Sequence, residues 1–282
     1  MVAEPDDIVA AYAAPVACAL FVWWFATGLI LALVRRPPSS FPWSLLAAAV
    51  LAAGALMGLI ASRDETTATA AYLAFGCGVA LWGFLELGFL TGLISGSRRH
   101  GCAAGCGGWR HFVHAIESIL HHELAIIAMA VAVLVIAWDA PNPVGAWTFL
   151  VLWVMRQSAK LNLFLGVRNL GEEFLPPHLD YLKSYFRRRP INLLFPFSVT
   201  LPTIVAALLV RTALSPQASD FELAGHLLVA ALLALAVLEH WLMVLPLSLD
   251  TLWRWAMGRT RQPSDADDQP PVLRVESKAK VC

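Results

Sequence analysis

Long apolar blocks recur along this chain, each about as long as a bilayer crossing. A helix needs roughly 20 apolar residues to span a hydrocarbon core of about 30 Å. About seven blocks meet that length: 8–34, 43–61, 69–94, 116–138, 144–166, 195–213 and 223–249. The second is short and Ala-rich, which suits a weaker or more tilted helix. The expected fold class is therefore all-α, a polytopic membrane helix bundle. Composition agrees: 14% of residues are charged, against about 25% in ordinary soluble domains.

Charge placement orients the bundle. Arg35, Arg36, Arg98, Arg99, Arg110, Arg168, Lys183 and Arg187 to Arg189 fall in alternate loops, and Arg254 to Lys280 follow the last block. The other side carries Arg63 and Arg211 beside Asp64, Glu65, Asp139, Asp220 and Glu222. Cytoplasmic loops are enriched in Lys and Arg, so the expectation is N-out, C-in, with an odd number of spans. The flank MVAEPDD is acidic and the first apolar run is long, which reads as an uncleaved first span. Trp43, Trp138, Trp147, Trp253 and Trp255 lie near span ends, as an aromatic belt requires. Trp23 and Trp24 fall mid-span and are expected to pack against a neighbouring helix.

The stretch at about 172–190 is too polar to span. Leu175, Leu179, Leu182 and Phe186 recur as one helical stripe beside Lys183, Arg187, Arg188 and Arg189. It reads as a cytoplasmic interfacial amphipathic helix whose basic end meets anionic headgroups, or as a plain amphipathic connector. Beyond residue 257 the chain turns polar and Pro-rich, so the expected division is a membrane domain over 1–257 and a disordered cytoplasmic tail over 258–282.

Several function classes lack support. Twenty basic and twenty acidic residues leave no net charge to attract nucleic acid. There is no nucleophile elbow, P-loop lysine motif or dinucleotide fingerprint. Cys18 and Cys77 sit in apolar blocks and read as core residues. Cys102 and Cys106 flank a Gly-rich loop, but two thiolates alone do not complete a zinc site.

The functional signal is a set of ionisable residues inside the spans. Charged groups in hydrocarbon normally face the protein interior and pair with one another. With the expected topology, Glu86, Glu117, His121, Arg156, Lys160, Glu239 and His240 fall at similar depth. Along the fourth block, His114, Glu117 and His121 are three and four apart and share a stripe, which leaves His122 and Glu123 turned away. The expected buried polar network is Glu86, His114, Glu117, His121, Arg156, Lys160, Asn162, Glu239 and His240.

Such a set admits several readings. It is a structural ion-pair network, with Arg156 and Lys160 matched to glutamates. It is a metal site drawn from Glu86, Glu117, His121, Glu239 and His240. It is a pigment or tetrapyrrole site in which a neutral histidine ligates a central metal. Or it is a row for ion transport. No inverted repeat supports the last.

The run RQSAKLNLFLGVRNLGEEFLPPHLDYLKSYFRRRPINLLFPFSV, from Arg156 to Val199, resembles a segment of the PuhE family, as do HHELAI and WGFLELGFLTG around Glu86. These are photosynthetic complex assembly proteins of purple phototrophic bacteria. The resemblance covers span three through the start of span six, and it includes Lys160 and Asn162. It implies a multi-pass protein of the bacterial inner (intracytoplasmic) membrane, in contact with the lipid bilayer. It implies reaction-centre or core antenna subunits, or other assembly factors, as partners, and a role in assembly or in bacteriochlorophyll supply. It carries no catalytic residues. The expectation is a non-catalytic factor. The alternative is a membrane enzyme acting on a tetrapyrrole or other lipophilic substrate at a carboxylate–histidine metal site.

Overall fold

The computed structural model describes residues 5–246 except residue 104, with side chains from residue 11 onward. The expected tail at 258–282, Trp253, Trp255 and the last residues of the seventh block lie outside the described residues. Among the described residues seven long helices run in order: α1 (Pro5–Val34), α2 (Phe41–Ser62), α3 (Ala68–Leu90), α4 (Gly108–Ile136), α5 (Val144–Leu165), α6 (Phe195–Ala213) and α7 (Asp220–Leu242). Among the described residues there is no strand, only an isolated parallel bridge between Val167 and Arg188. The chain is a polytopic helix bundle.

Six of the helices are long and apolar enough to cross a membrane. The one outside that set is α5, which has 22 residues but carries Arg156, Gln157, Lys160 and Asn162 in its second half. The polar load is a matter of position. α3 and α7 form the centre, with 61% and 56% of their apolar windows buried, against 17% for α1, α2 and α6. α3 packs against α1, α2, α4, α5 and α7, while α6 leans mainly on α7. The outer helices turn Phe21, Phe25, Val50, Leu51, Val131, Val135, Phe197 and Leu201 outward. Such an apolar belt would be untenable in water and suits lipid.

Small residues set the central spacing. A Cβ on Gly78 would lie 2.8 Å from the Gly145 carbonyl oxygen, and one on Gly225 would lie 2.8 Å from Val144 Cγ2. Close backbone approach of this kind drives helix association where no hydrophobic effect acts between helices. The Ala-rich α2 uses Ala52, Ala55 and Leu59 in the same way, burying them in the core shared with α3. At the end expected to face outward, Asn142 joins three helices. Its Nδ2 donates to the carbonyls of Ser62 (3.1 Å) and Ala70 (3.3 Å), and its Oδ1 accepts from the Val144 N–H (3.2 Å). A capping box between Ser219 and Glu222 starts α7.

The segment at 172–190 departs from the expected amphipathic α-helix. It holds two 3-10 turns, Glu172–Phe174 and Pro177–Tyr185, and then an extended run. Residues three apart eclipse in a 3-10 helix, so the buried stripe is Leu179, Leu182 and Tyr185. It packs on Phe89, Ala115 and Ile119 at the ends of α3 and α4. The apolar face therefore covers protein. Arg187 and Arg189 follow in extended backbone: the Val167 N–H donates to Arg187 O (3.2 Å) and the Arg189 N–H to Val167 O (3.1 Å). The side chains of Arg187 to Arg189 stay exposed, with Arg188 Nη2 3.4 Å from Glu172 Oε1, and Lys183 pairs with Asp180 at 2.7 Å.

Trp23 is part-buried against the core, as expected of a mid-span tryptophan. Trp24 instead turns outward and is 36% exposed.

Candidate functional site

The ionisable residues of the bundle meet as two pairs across α3, α4 and α5. Glu86 on α3 is buried, and its Oε2 accepts from Arg156 Nη2 on α5 at 3.1 Å. On α4, His122 is fully buried, with Nε2 3.7 Å from Glu86 Oε1 and its ring 4.5 Å from that of Phe89. One turn further along α5, Lys160 Nζ lies 2.5 Å from Glu123 Oε1, and Gln157 donates to the other oxygen of that carboxylate. Both side chains of the Lys160–Glu123 pair are only 18% exposed. Each acid is thus matched by a base from another helix, as a low-dielectric setting demands.

The loop after α3 closes this pair from one side. The His122 N–H donates to Ser95 O at 2.9 Å, and the Arg98 N–H donates to Glu117 O at 3.3 Å. Gly96 rests directly on α4: a Cβ there would stand 2.1 Å from Glu117 O.

A second polar patch is neutral. Asn162 is fully buried, donating to Ser158 O (2.9 Å) and Ser198 Oγ (2.8 Å) and accepting from Asn192 Nδ2 (2.9 Å). His240, also buried, contacts Ala236 O (2.8 Å) through Nδ1 and Ser158 Oγ (2.9 Å) through Nε2. These bonds join α5, α6 and α7.

The remaining expected members sit elsewhere. Glu117 faces outward, with its side chain 41% exposed and Oε2 4.0 Å from Arg98 Nη1. His121 is exposed on the outer face of α4. Glu239 is exposed and accepts from Trp23 Nε1 of α1 at 2.8 Å. His114 lies against the thiols of Cys102 and Cys106. So Glu86, Arg156 and Lys160 share a layer, whereas His114, Glu117 and His121 do not join it. The inward face of α4 is Ser118, His122, Ile126, Ala130 and Val133, and the stripe of His114, Glu117 and His121 points away from it. His122 and Glu123, expected to turn away, are the residues that pair. Nor do Glu86, Glu117, His121, Glu239 and His240 converge as metal ligands, because each is turned to a different partner or surface.

A family described as "Protein of unknown function (DUF3623)" matches residues 9–264. A protein of Rhodobacter capsulatus described as an uncharacterized 30.4 kDa protein in the puhA 5' region is 36% identical over 260 residues, covering 91% of this chain and 94% of its own length. The resemblance read in the runs around Glu86, His121 and Arg156 thus extends along nearly the whole chain. No solved structure matches.

Proposed function

We propose that this chain, which belongs to the DUF3623 family of proteins of unknown function, is a non-catalytic membrane factor. It would assist assembly of the photosynthetic reaction centre and core antenna, or modulate bacteriochlorophyll supply. A photosynthetic role is supported by the relative named for its place in the puhA 5' region. The observation that carries the non-catalytic reading is the closure of the buried charges on themselves. Glu86 with Arg156 and Glu123 with Lys160 form cross-helix pairs, which serve architecture rather than a free acid, base or ligand set.

The outward polar groups support a partner or pigment at the rim. Glu239 with Trp23, and His121 on α4, are exposed on helices whose neighbouring surface is apolar. Polar groups facing hydrocarbon are costly unless covered. A partner helix with a hydrogen-bonding side chain, or a pigment whose central metal takes a neutral imidazole, would cover them. In this reading α5 is a seventh span, the N-terminus lies outside and the C-terminus lies in the cytoplasm, in the bacterial inner membrane. Exposed Arg187 to Arg189 would then lie at anionic headgroups.

The test is gentle detergent purification of the tagged chain from a phototrophic host, with the absorption spectrum and bound proteins read together. Bacteriochlorophyll, or reaction-centre or antenna subunits, should co-purify, and the yield should fall in Glu239→Ala and His121→Ala. Normal pigment–protein levels in a host lacking the chain would overturn the proposal.

A further inference from the structure

The Gly-rich loop before α4 and the first turns of that helix hold a group of side chains that the bundle does not use. Gly105 and Gly108 have φ of +82° and +60°, conformations that glycine adopts without steric cost. They fold the loop back so that its two thiols meet α4. The ligand atoms of Cys102, Cys106 and His114 all lie within 4.8 Å of one another. His114 Nδ1 is 3.6 Å from Cys102 Sγ and 3.3 Å from Cys106 Sγ. His111 Nδ1 stands beside that group, 3.3 Å from Cys102 Sγ, so it completes a fourth position by a small movement of its ring.

We propose that Cys102, Cys106, His111 and His114 form a structural zinc site that clips the loop between α3 and α4 to the neighbouring helix ends. The proposal does not depend on the assembly role. Zinc takes thiolate sulfur at about 2.3 Å and imidazole nitrogen at about 2.0–2.1 Å, which in a tetrahedron sets sulfur and nitrogen about 3.5 Å apart. The three sulfur–nitrogen separations in the cluster bracket that value. The pattern is Cys-x3-Cys-x4-His-x2-His, with the cysteine spacing inside the range of two to four intervening residues found in zinc modules. Both histidines present Nδ1 to sulfur. Binding would replace the two thiol protons, which pass to solvent, and use the Nδ1 lone pairs, leaving the imidazole protons on Nε2. Two thiolates and two imidazoles make a neutral, closed set around a divalent ion, the arrangement of structural rather than catalytic zinc.

The surroundings say what the clip would hold. The Cys102 N–H donates to Ser184 Oγ at 3.0 Å. Arg98 Nε donates to the Tyr185 hydroxyl at 2.8 Å, which in turn donates to His100 O at 3.0 Å. The His111 ring stacks on Phe164 at 5.4 Å and tilts against Tyr185 at 5.6 Å. One ion would thereby fix the loop, the start of α4, the end of α5 and the 3-10 turn Pro177–Tyr185.

The full-length chain, purified in detergent without a histidine tag, is assayed for zinc and then loaded with cobalt(II) as a spectroscopic probe. The expected result is about one zinc per chain, with cobalt giving sulfur charge-transfer absorption and the intense visible bands of a tetrahedral site. Cys102→Ser/Cys106→Ser should reduce zinc to roughly a tenth or less, whereas Cys18→Ser and Cys77→Ser should retain it. If the double variant fails to accumulate, His114→Gln with cobalt supplies the reading, as loss or distortion of the tetrahedral bands. Wild-type protein without stoichiometric zinc and without a cobalt–sulfur spectrum would overturn the site. So would a Cys102–Cys106 disulfide in protein kept under a reducing buffer, or zinc retained in the double variant.

Discussion

Glu86 and Arg156 meet at 3.1 Å between α3 and α5, and His122 of α4 stands 3.7 Å from the other oxygen of the same carboxylate. Three helices are therefore indexed to one acid. Removing one member of a fully buried pair costs about 3–5 kcal/mol, but the Arg156 side chain is 40% exposed, so screening reduces the cost. Arg156→Ala should lower the detergent melting temperature of the chain more than Arg156→Met combined with Glu86→Gln, since the double variant leaves no orphan charge. Equal melting of the two would show that the pair contributes nothing to the bundle.

Glu123 and Glu117 are six residues apart on α4 and differ in environment. Glu123 meets Lys160 and Gln157, whereas Glu117 is partly exposed and 4.0 Å from Arg98. Glu123→Gln should therefore reduce membrane abundance and thermal stability more than Glu117→Gln. The expected cost is about 1–3 kcal/mol for the former, against about 0–1 kcal/mol for the latter. Thermal melts of both variants in one detergent decide the order.

Asn162 holds Ser158, Ser198 and Asn192 together inside the bundle. Asn162→Leu strands these partners, at about 1–3 kcal/mol for each buried group left unpaired. Proteolysis of the α5–α6 connection in detergent micelles should accelerate in this variant. A cleavage rate equal to that of the unsubstituted chain would contradict the assignment.

Gly96 tolerates no side chain. With Glu117 O 2.1 Å and Ser118 C 2.3 Å from the place of a Cβ, Gly96→Ala must push the loop off α4. Overpacking of this kind costs about 1–3 kcal/mol or more. Gly107→Ala, which meets nothing within 4 Å, is the control, and amide exchange over residues 92–98 reports the difference.

The apolar blocks were legible because length alone identifies them. The ends of α5 and α6 follow the blocks 144–166 and 195–213 to within a residue, and the all-helical bundle follows from the blocks. Which face of α4 turns inward was not legible. All its sides are apolar enough to bury, so periodicity gives no direction, and the polar stripe His114, Glu117, His121 drew attention to the wrong face. The residues that pair, His122 and Glu123, sit beside the small and aliphatic face Ser118, Ile126 and Ala130. Only contact with α3 and α5 selects it. The segment after α5 was misjudged for a different reason. A stripe at Leu175, Leu179, Leu182 and Phe186 fits an α-helix, but the 3-10 turn that opens at Pro177 after Pro176 selects Leu179, Leu182 and Tyr185. The cysteine–histidine group has a signal in the pattern Cys-x3-Cys-x4-His-x2-His from Cys102 to His114. It is hidden because His114 also reads as part of the buried network rather than as a neighbour of the loop.

Asn169 carries a consequence for the order in which the chain is made. Its backbone N–H donates to Met243 O at 2.8 Å, and its side chain donates to Leu242 O at 2.8 Å and to Leu245 O. None of these acceptors exists until α7 has been synthesised, more than seventy residues later. The same holds for the central contact of α3 with α7 and for the Trp23–Glu239 bond. During translation the first six helices must therefore wait with a polar seam unsealed. Arrival of α7 joins α1 to α6 and fills the centre of the bundle beside α3.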